Sequence, residues 1–253
     1  MTLHMISFHP DFGRLVRLAH RERLLPPGDD LGYAVHAVFA ATFGPFAPKP
    51  FVLLTPGEPG GGPAGRLLAY AEAPLDDLLA QASAFADPAF AGPLCLETAE
   101  AKAMPTRFET GRRLGFRLRF RPTVRTGSPR ERGDDETGGR ARERDAFLAA
   151  CEAAPEAVID RSAVYRVWLG DRFVAAGATL DDVALQSFRR TRVLRRDRSG
   201  GTERSRTVEG PDAVAVGTVT VTDPDRFAVV LARGIGRHRS FGFGMLLLTP
   251  PMR

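Results

Sequence analysis

The chain has 253 residues, 43% of them hydrophobic, a net charge of +5 and a pI near 9.8, enough for one large or two smaller domains with real cores. It holds no apolar run of the length a membrane helix needs and no secretory leader pattern. Its two cysteines, Cys95 and Cys151, have neither metal-ligand nor disulfide-framework spacing, so the expectation is a reduced, cytoplasmic protein with no membrane, metal or cofactor partner. The positive charge is carried by arginine; only Lys49 and Lys102 are lysine. Genome base composition can favour arginine codons, so position says more than number. Residues 107–206 hold 23 basic against 15 acidic side chains, while the rest of the chain is net acidic. One region is therefore expected to face a polyanion.

Taken in chain order, residues 3–8 read as a short strand, and 31–43 (LGYAVHAVFAATF) as a helix starting after Asp29 or Asp30 and stopping at Gly44-Pro45. Its apolar stripe is Leu31, Val35, Val38, Phe39 and Thr42. Strands are expected at 50–55 and 65–73, a helix from Leu75 to about Phe85, and a closing strand within 94–103. That order is βαββαβ, the ferredoxin-like unit. The segment 115–124 (GFRLRFRPTV) alternates Phe116, Leu118 and Phe120 against Arg117, Arg119 and Arg121, a strand with one apolar and one triply basic face. Residues 126–143 are charged and glycine-rich and read as a loop. Helical patterns follow at 144–154 and 161–176. Residues 187–206 read as two basic strands joined by a Ser-Gly-Gly turn, and a long strand ends at 214–221. A helix opens at Asp223-Pro224 and closes on Gly234, and MLLLTP is the last strand. The expected architecture is α+β, two tandem ferredoxin-like (βαββαβ, RRM-like) domains at 1–112 and 113–253.

Three constellations carry possible chemistry. Tyr33 and His36 lie one turn apart on the first helix, roughly opposite its core stripe; an imidazole there can move protons near neutral pH, or can simply be a half-exposed helix residue bonded to a carbonyl. The 187–206 hairpin carries Arg189, Arg190, Arg192, Arg195, Arg196, Arg198, Arg204 and Arg206 against Asp197 and Glu203 within the same window. It reads as a phosphate-gripping ribbon, with a solvated strand edge as the other reading. The segment 232–251 (ARGIGRHRSFGFGMLLLTPP) sets Gly234, Gly236, Gly242 and Gly244 beside Arg237, His238 and Arg239, as if backbone amides and charge met phosphate there. A nucleotide loop would run strand, glycines, helix; here a helix precedes and a strand follows, which speaks against a nucleotide-using metabolic enzyme. His4, His9 and His20 read as surface decoration, and no metal or serine/cysteine nucleophile motif is present. RNA brings its own nucleophile, the 2′-hydroxyl, so a base, an acid and phosphate-stabilising charge suffice to cut it. A metal-free ribonuclease is the economical reading.

The C-terminal RGIGRHRSFGFGMLLLTPP is similar to the glycine-rich signature of the CRISPR repeat-processing endoribonucleases of the CasE (Cse3) type. FRLR at Phe116–Arg119, followed by Pro122, and DLGYAVH with Tyr33 and His36, resemble the same family and occur in the same order across most of the chain. The resemblance implies tandem ferredoxin-like domains, recognition of the stem-loop in each CRISPR repeat, and one metal-independent cut at its base. The 2′-hydroxyl attacks to leave a 2′,3′-cyclic phosphate or 3′-phosphate. The protein would stay on the mature crRNA beside the other subunits of a Cascade-type effector. His36 would take the proton-transfer role, Tyr33 would help place the phosphate, and the hairpin would grip the stem. A non-cleaving RNA-hairpin-binding module of the same fold is the alternative. The segment before the first helix and residues 126–143 are longer than the resemblance implies.

Overall fold

In the computed structural model of the chain, residues 2–28, 30–126, 142–199 and 202–251 are described, apart from the side chains of 126, 142, 195–199 and 202–206. Asp29, most of the charged 126–143 segment and the Gly200-Gly201 turn lie outside the described residues.

The first unit runs β1 (His4–Phe8), α1 (Phe12–Arg21), α2 (Gly32–Phe43), β2 (Phe51–Leu54), β3 (Arg66–Ala71), α3 (Leu75–Phe85), the short α4 (Pro88–Ala91) and β4 (Glu100–Ala103). Its sheet is antiparallel with strand order β2-β3-β1-β4. The second unit runs β5 (Arg113–Phe120), β6 (Thr123–Thr126), β7 (Arg142–Asp145), α5 (Ala146–Ala153), α6 (Arg161–Ala175), β8 (Ala178–Ser199), β9 (Thr202–Val221), α7 (Pro224–Arg233) and β10 (Leu246–Thr249). Its sheet has order β10-β5-β9-β8, the same ferredoxin-like arrangement. The α+β class and the tandem ferredoxin-like fold are thus present. The stretch between Ala103 and Arg113 belongs to neither sheet.

The strands that alternate in sequence alternate in burial. On β5, Phe116, Leu118 and Phe120 are fully buried; Phe116 packs on Phe173, and Phe120 on Trp168, of α6. The α2 stripe Val35, Val38 and Phe39 buries against Phe8, Phe43 and Phe51, leaving Tyr33 and His36 half-exposed. Three features depart from expectation. Residues Arg142–Asp145, read as the end of a loop and the start of a helix, form β7, which pairs with β6. The stretch around His20 is a helix, α1, capped by Asp11 and burying Leu15, Leu18 and Ala19 while Arg14, Arg17 and Arg21 stay outside. The basic strands are longer than expected: β8 and β9 pair from Ala178↔Val221 out to Ser199↔Thr202, yet β5 pairs with β9 only over Ala213–Thr220. The ribbon beyond Asp212 therefore extends past the four-stranded sheet, with the arginine-rich end farthest out.

The first sheet is covered on both faces. Ile6, Phe8, Leu67 and Ala69 meet its helices, while Val52, Leu54, Leu68 and Tyr70 join the core of the second unit. The buried Tyr70 hydroxyl donates to the Leu246 carbonyl at 2.8 Å, across 176 residues of chain. Removing that donor strands a buried carbonyl, so Tyr70→Phe is expected to cost about 1–3 kcal/mol, read as a lower urea midpoint. An unchanged midpoint would show that this bond contributes nothing to the join.

Candidate functional site

The site forms where the last segment of the second unit lies across the first helix of the first. Between α7 and β10 the chain turns through Gly234, Gly236, His238, Gly242 and Gly244, all at positive φ. A Cβ on Gly244 would come within 2.3 Å of the Ile235 carbonyl oxygen, and one on Gly32 within 2.3 Å of the Phe241 carbonyl oxygen. Glycine at these two positions lets the segment fold on itself and touch the start of α2. Two of the four glycine amides expected to face phosphate have partners inside the fold. Gly234 N–H donates to Val230 O and Gly244 N–H to Arg119 O, each at 2.7 Å, so these two donors are already used within the fold.

Phe241, at the tip of this segment, meets both residues singled out on α2. Its ring lies 5.4 Å from His36, edge to face, and 6.0 Å from Tyr33, while Tyr33 and His36 are themselves 6.0 Å apart. Burial, with the Lys49 charge second, lowers the His36 pKa below its ordinary 6.5. The imidazole is therefore mainly neutral at pH 7 and able to accept a proton.

Beside this helix the structure opens a cleft of about 720 Å³ between β2 and the helix-free face of the second sheet, lined by Asp30, Gly32, Arg117, Arg189, Arg192 and Gly242 among others. His36 and Tyr33 do not line it; they stand on the next turns of α2, just beyond its Gly32 edge.

The triply basic face of β5 is not a solvent face. It points toward the first unit, and its three arginines have separate fates. The Arg119 side chain is only 12% exposed. Its Nε and Nη2 bond Asp212 at 2.9 and 2.7 Å, its Nη2 bonds Asp30 at 2.8 Å, and its guanidinium lies 4.3 Å from the Phe243 ring centre. Asp30 in turn accepts the Gly32 N–H at 2.9 Å, which ties this ion pair to the start of α2. Burial alone would lower the Arg119 pKa, but Asp212 and then Asp30 outweigh it and raise it. Arg121 is buried and donates to the Pro211 and Thr191 carbonyls at 3.1 and 2.6 Å, with desolvation lowering its pKa to about 10. Arg119 and Arg121, expected to meet RNA, are thus largely buried and bonded to partners within the fold. Arg117 does line the cleft, where burial lowers its pKa.

The hairpin also holds more internal partners than Asp197 and Glu203. Arg189 bonds Asp212 at 2.9 Å, and Arg190 and Arg192 bond Glu209 at 2.8 and 3.1 Å, both acids lying just past the window read from sequence. Further out, the register sets Arg195 opposite Arg206 and Asp197 opposite Arg204, with Arg198 opposite Glu203. Around the glycine segment, Arg237 bonds Glu143 and Arg239 donates to the Arg233 carbonyl, with both side chains reaching the surface. His238, expected as a phosphate contact, is buried against Glu143 at 2.8 Å. Asp30, Asp212, Glu143 and Phe241 were missed by sequence reasoning. Only Asp30, at the helix start, carried a local signal.

The cleft spans both ferredoxin-like units and is lined by Arg117, Arg119, Arg189, Arg190 and Arg192 together with Asp30, Glu58, Glu209 and Asp212. The family model for CRISPR associated proteins matches residues 15–250, and the chain belongs to that family. The fold is similar to that of the CRISPR endoribonuclease Cse3 bound to a 19-nucleotide RNA, with a TM-score of 0.61 and 19% identity over 99% of this chain and 100% of that one. It is also similar to the CRISPR-associated protein Cas6e from Escherichia coli K-12, with a TM-score of 0.52 and 19% identity over 99% and 100% of the two chains. A chain of a CRISPR RNA-guided surveillance complex in a pre-nicking state matches with a TM-score of 0.51 and 18% identity, again over 99% and 100%. No curated protein sequence matches the chain. None of the helices among the described residues is long and apolar enough to cross a membrane.

Because Asp212 and Asp30 are buried around Arg119, Arg119→Ala should destabilise the protein by about 3–5 kcal/mol in chemical unfolding. Arg189 shares Asp212, but its side chain is 67% exposed, and Arg189→Ala should cost under about 1 kcal/mol. Equal costs would show that the buried bridge has no special weight.

Proposed function

We propose that the protein is a metal-independent endoribonuclease that cuts CRISPR precursor RNA at the base of the repeat stem-loop. It then stays on the mature crRNA beside other effector subunits. The observation that carries this reading is His36, kept off the core stripe, largely neutral, and set beside Tyr33 about one turn of α2 past Gly32, which itself lines the arginine-bearing cleft. The likeness in fold to Cse3 in complex with RNA, and to a chain of a surveillance complex, supports the substrate and the assembly.

In this reading the outer arginines of the β8–β9 ribbon, from Arg190 and Arg192 to Arg195, Arg196, Arg198, Arg204 and Arg206, hold the phosphates of the stem by shape and charge. Arg117, Arg237 and Arg239 lie nearer the cut. His36 takes the proton from the 2′-hydroxyl as its oxygen bonds to phosphorus. The bond from phosphorus to the 5′-oxygen breaks, and that oxygen takes a proton from water. The products are a 2′,3′-cyclic phosphate and a 5′-hydroxyl. Tyr33 orients the phosphate and the flanking cations stabilise the charge that builds on it.

Purified protein incubated with a repeat hairpin in EDTA should give one product, and His36→Ala should lose the product while keeping RNA affinity. Retained binding without a product from the wild type would favour the non-cleaving module; undiminished cleavage by His36→Ala would move the reaction elsewhere. Because the unprotonated imidazole is the base, the single-turnover rate should rise with pH through a midpoint below 6.5, the ordinary histidine value. A midpoint above 6.5 would contradict the burial of His36.

A further inference from the structure

The segment that carries Phe241 is held from outside both ferredoxin sheets. Glu143 lies on β7, which pairs only with β6. One carboxylate oxygen stands 2.9 Å from Arg237 Nε and the other 2.8 Å from His238 Nε2. His238 is a non-glycine residue in the left-handed region, at φ +62°, with a side chain only 2% exposed. Such a backbone persists where its surroundings hold it. The His238 carbonyl accepts the Phe241 N–H at 2.8 Å, closing a tight turn that points Phe241 at α2. The Phe241 ring then meets His36 at 5.4 Å and Tyr33 at 6.0 Å, and its carbonyl abuts Gly32. The route from Glu143 to the two rings is continuous and short.

We propose, resting on the reading that His36 and Tyr33 serve RNA cleavage, that Glu143 is a positioning residue for that site: its carboxylate fixes the Arg237-His238 turn that seats Phe241 on both rings. The accessory β6–β7 ribbon thereby controls the geometry of a helix in the other unit. His238 serves the turn, and Glu143 itself touches no substrate.

The test begins without RNA. Histidine-labelled wild type, Glu143→Ala and Glu143→Asp are compared by NMR across a pH titration. In the wild type the His36 ring resonance should be displaced by the Phe241 ring, with a midpoint below 6.5. In Glu143→Ala the displacement should shrink and the midpoint should move up toward 6.5; Glu143→Asp should fall between the two. Lys49, the second influence on His36, is unchanged in every variant. With a repeat hairpin at saturating protein, Glu143→Ala should cleave about 10- to 100-fold more slowly in single turnover, with little change in affinity for a 2′-deoxy hairpin. If Glu143→Ala does not fold, His238→Gly removes the His238–Glu143 bond in a residue that tolerates the left-handed region, and it is read the same way. A His36 resonance and midpoint identical to wild type in the folded variant would overturn the proposal. If instead the wild type cuts no RNA, the cleavage reading fails, and the NMR comparison still decides whether Glu143 places Phe241.

Discussion

The Arg119 guanidinium lies between Asp212 of its own sheet and Asp30 at the start of α2, with the Phe243 ring 4.3 Å from it. A buried charge is tolerable only when geometry and partners are complete, and here three hydrogen bonds to two carboxylates and one aromatic face supply them. The consequence is orientational rather than merely stabilising. Asp30 also receives the Gly32 N–H, so the direction in which α2 leaves the cleft is set by an arginine of the other unit. The backbone of the same residue holds the glycine segment, through Gly244 N–H to Arg119 O. One strand position thus fixes both elements that meet at the site.

Each ferredoxin-like unit taken alone lacks part of what the site needs. The first supplies His36 and Tyr33 on a helix whose other face is core. The second supplies Phe241, whose ring meets both, and the basic ribbon. The strand order places β10 at the edge beside β5, and the segment entering β10 must cross toward the first unit to reach it. Tyr70, bonded to Leu246 of that same strand, locks the join from the opposite side. The charge follows the same logic: Arg189, Arg190 and Arg192 near the root of the ribbon are balanced by Asp212 and Glu209.

Most of this architecture was legible from local pattern. The alternation of β5, the helix stop at Gly44 and the Pro224–Gly234 frame of α7 all encode their own structure. The helix α1 was missed where His20 was read as surface decoration, although Leu15, Leu18 and Ala19 at helical spacing carry the fold there. Arg119 and Arg121 looked like binding residues because alternation tells which side of a strand a residue occupies, not what covers that side. Their partners come from 70 to 93 residues away. Glu143 sat in a stretch read as loop, and nothing local ties it to His238. The Tyr33–His36 face was readable because helical spacing and core stripe are both local; its contact with Phe241 was not.

The most direct test is a structure of the protein with a repeat hairpin made uncleavable by one 2′-deoxy substitution at the cut. The account predicts that a His36 ring nitrogen stands within about 3–4 Å of the substituted carbon, where the attacking hydroxyl would be, with the stem lying along the β8–β9 ribbon. A complex that leaves His36 far from that nucleotide, or lays the stem on the helical face of the second unit, would contradict it.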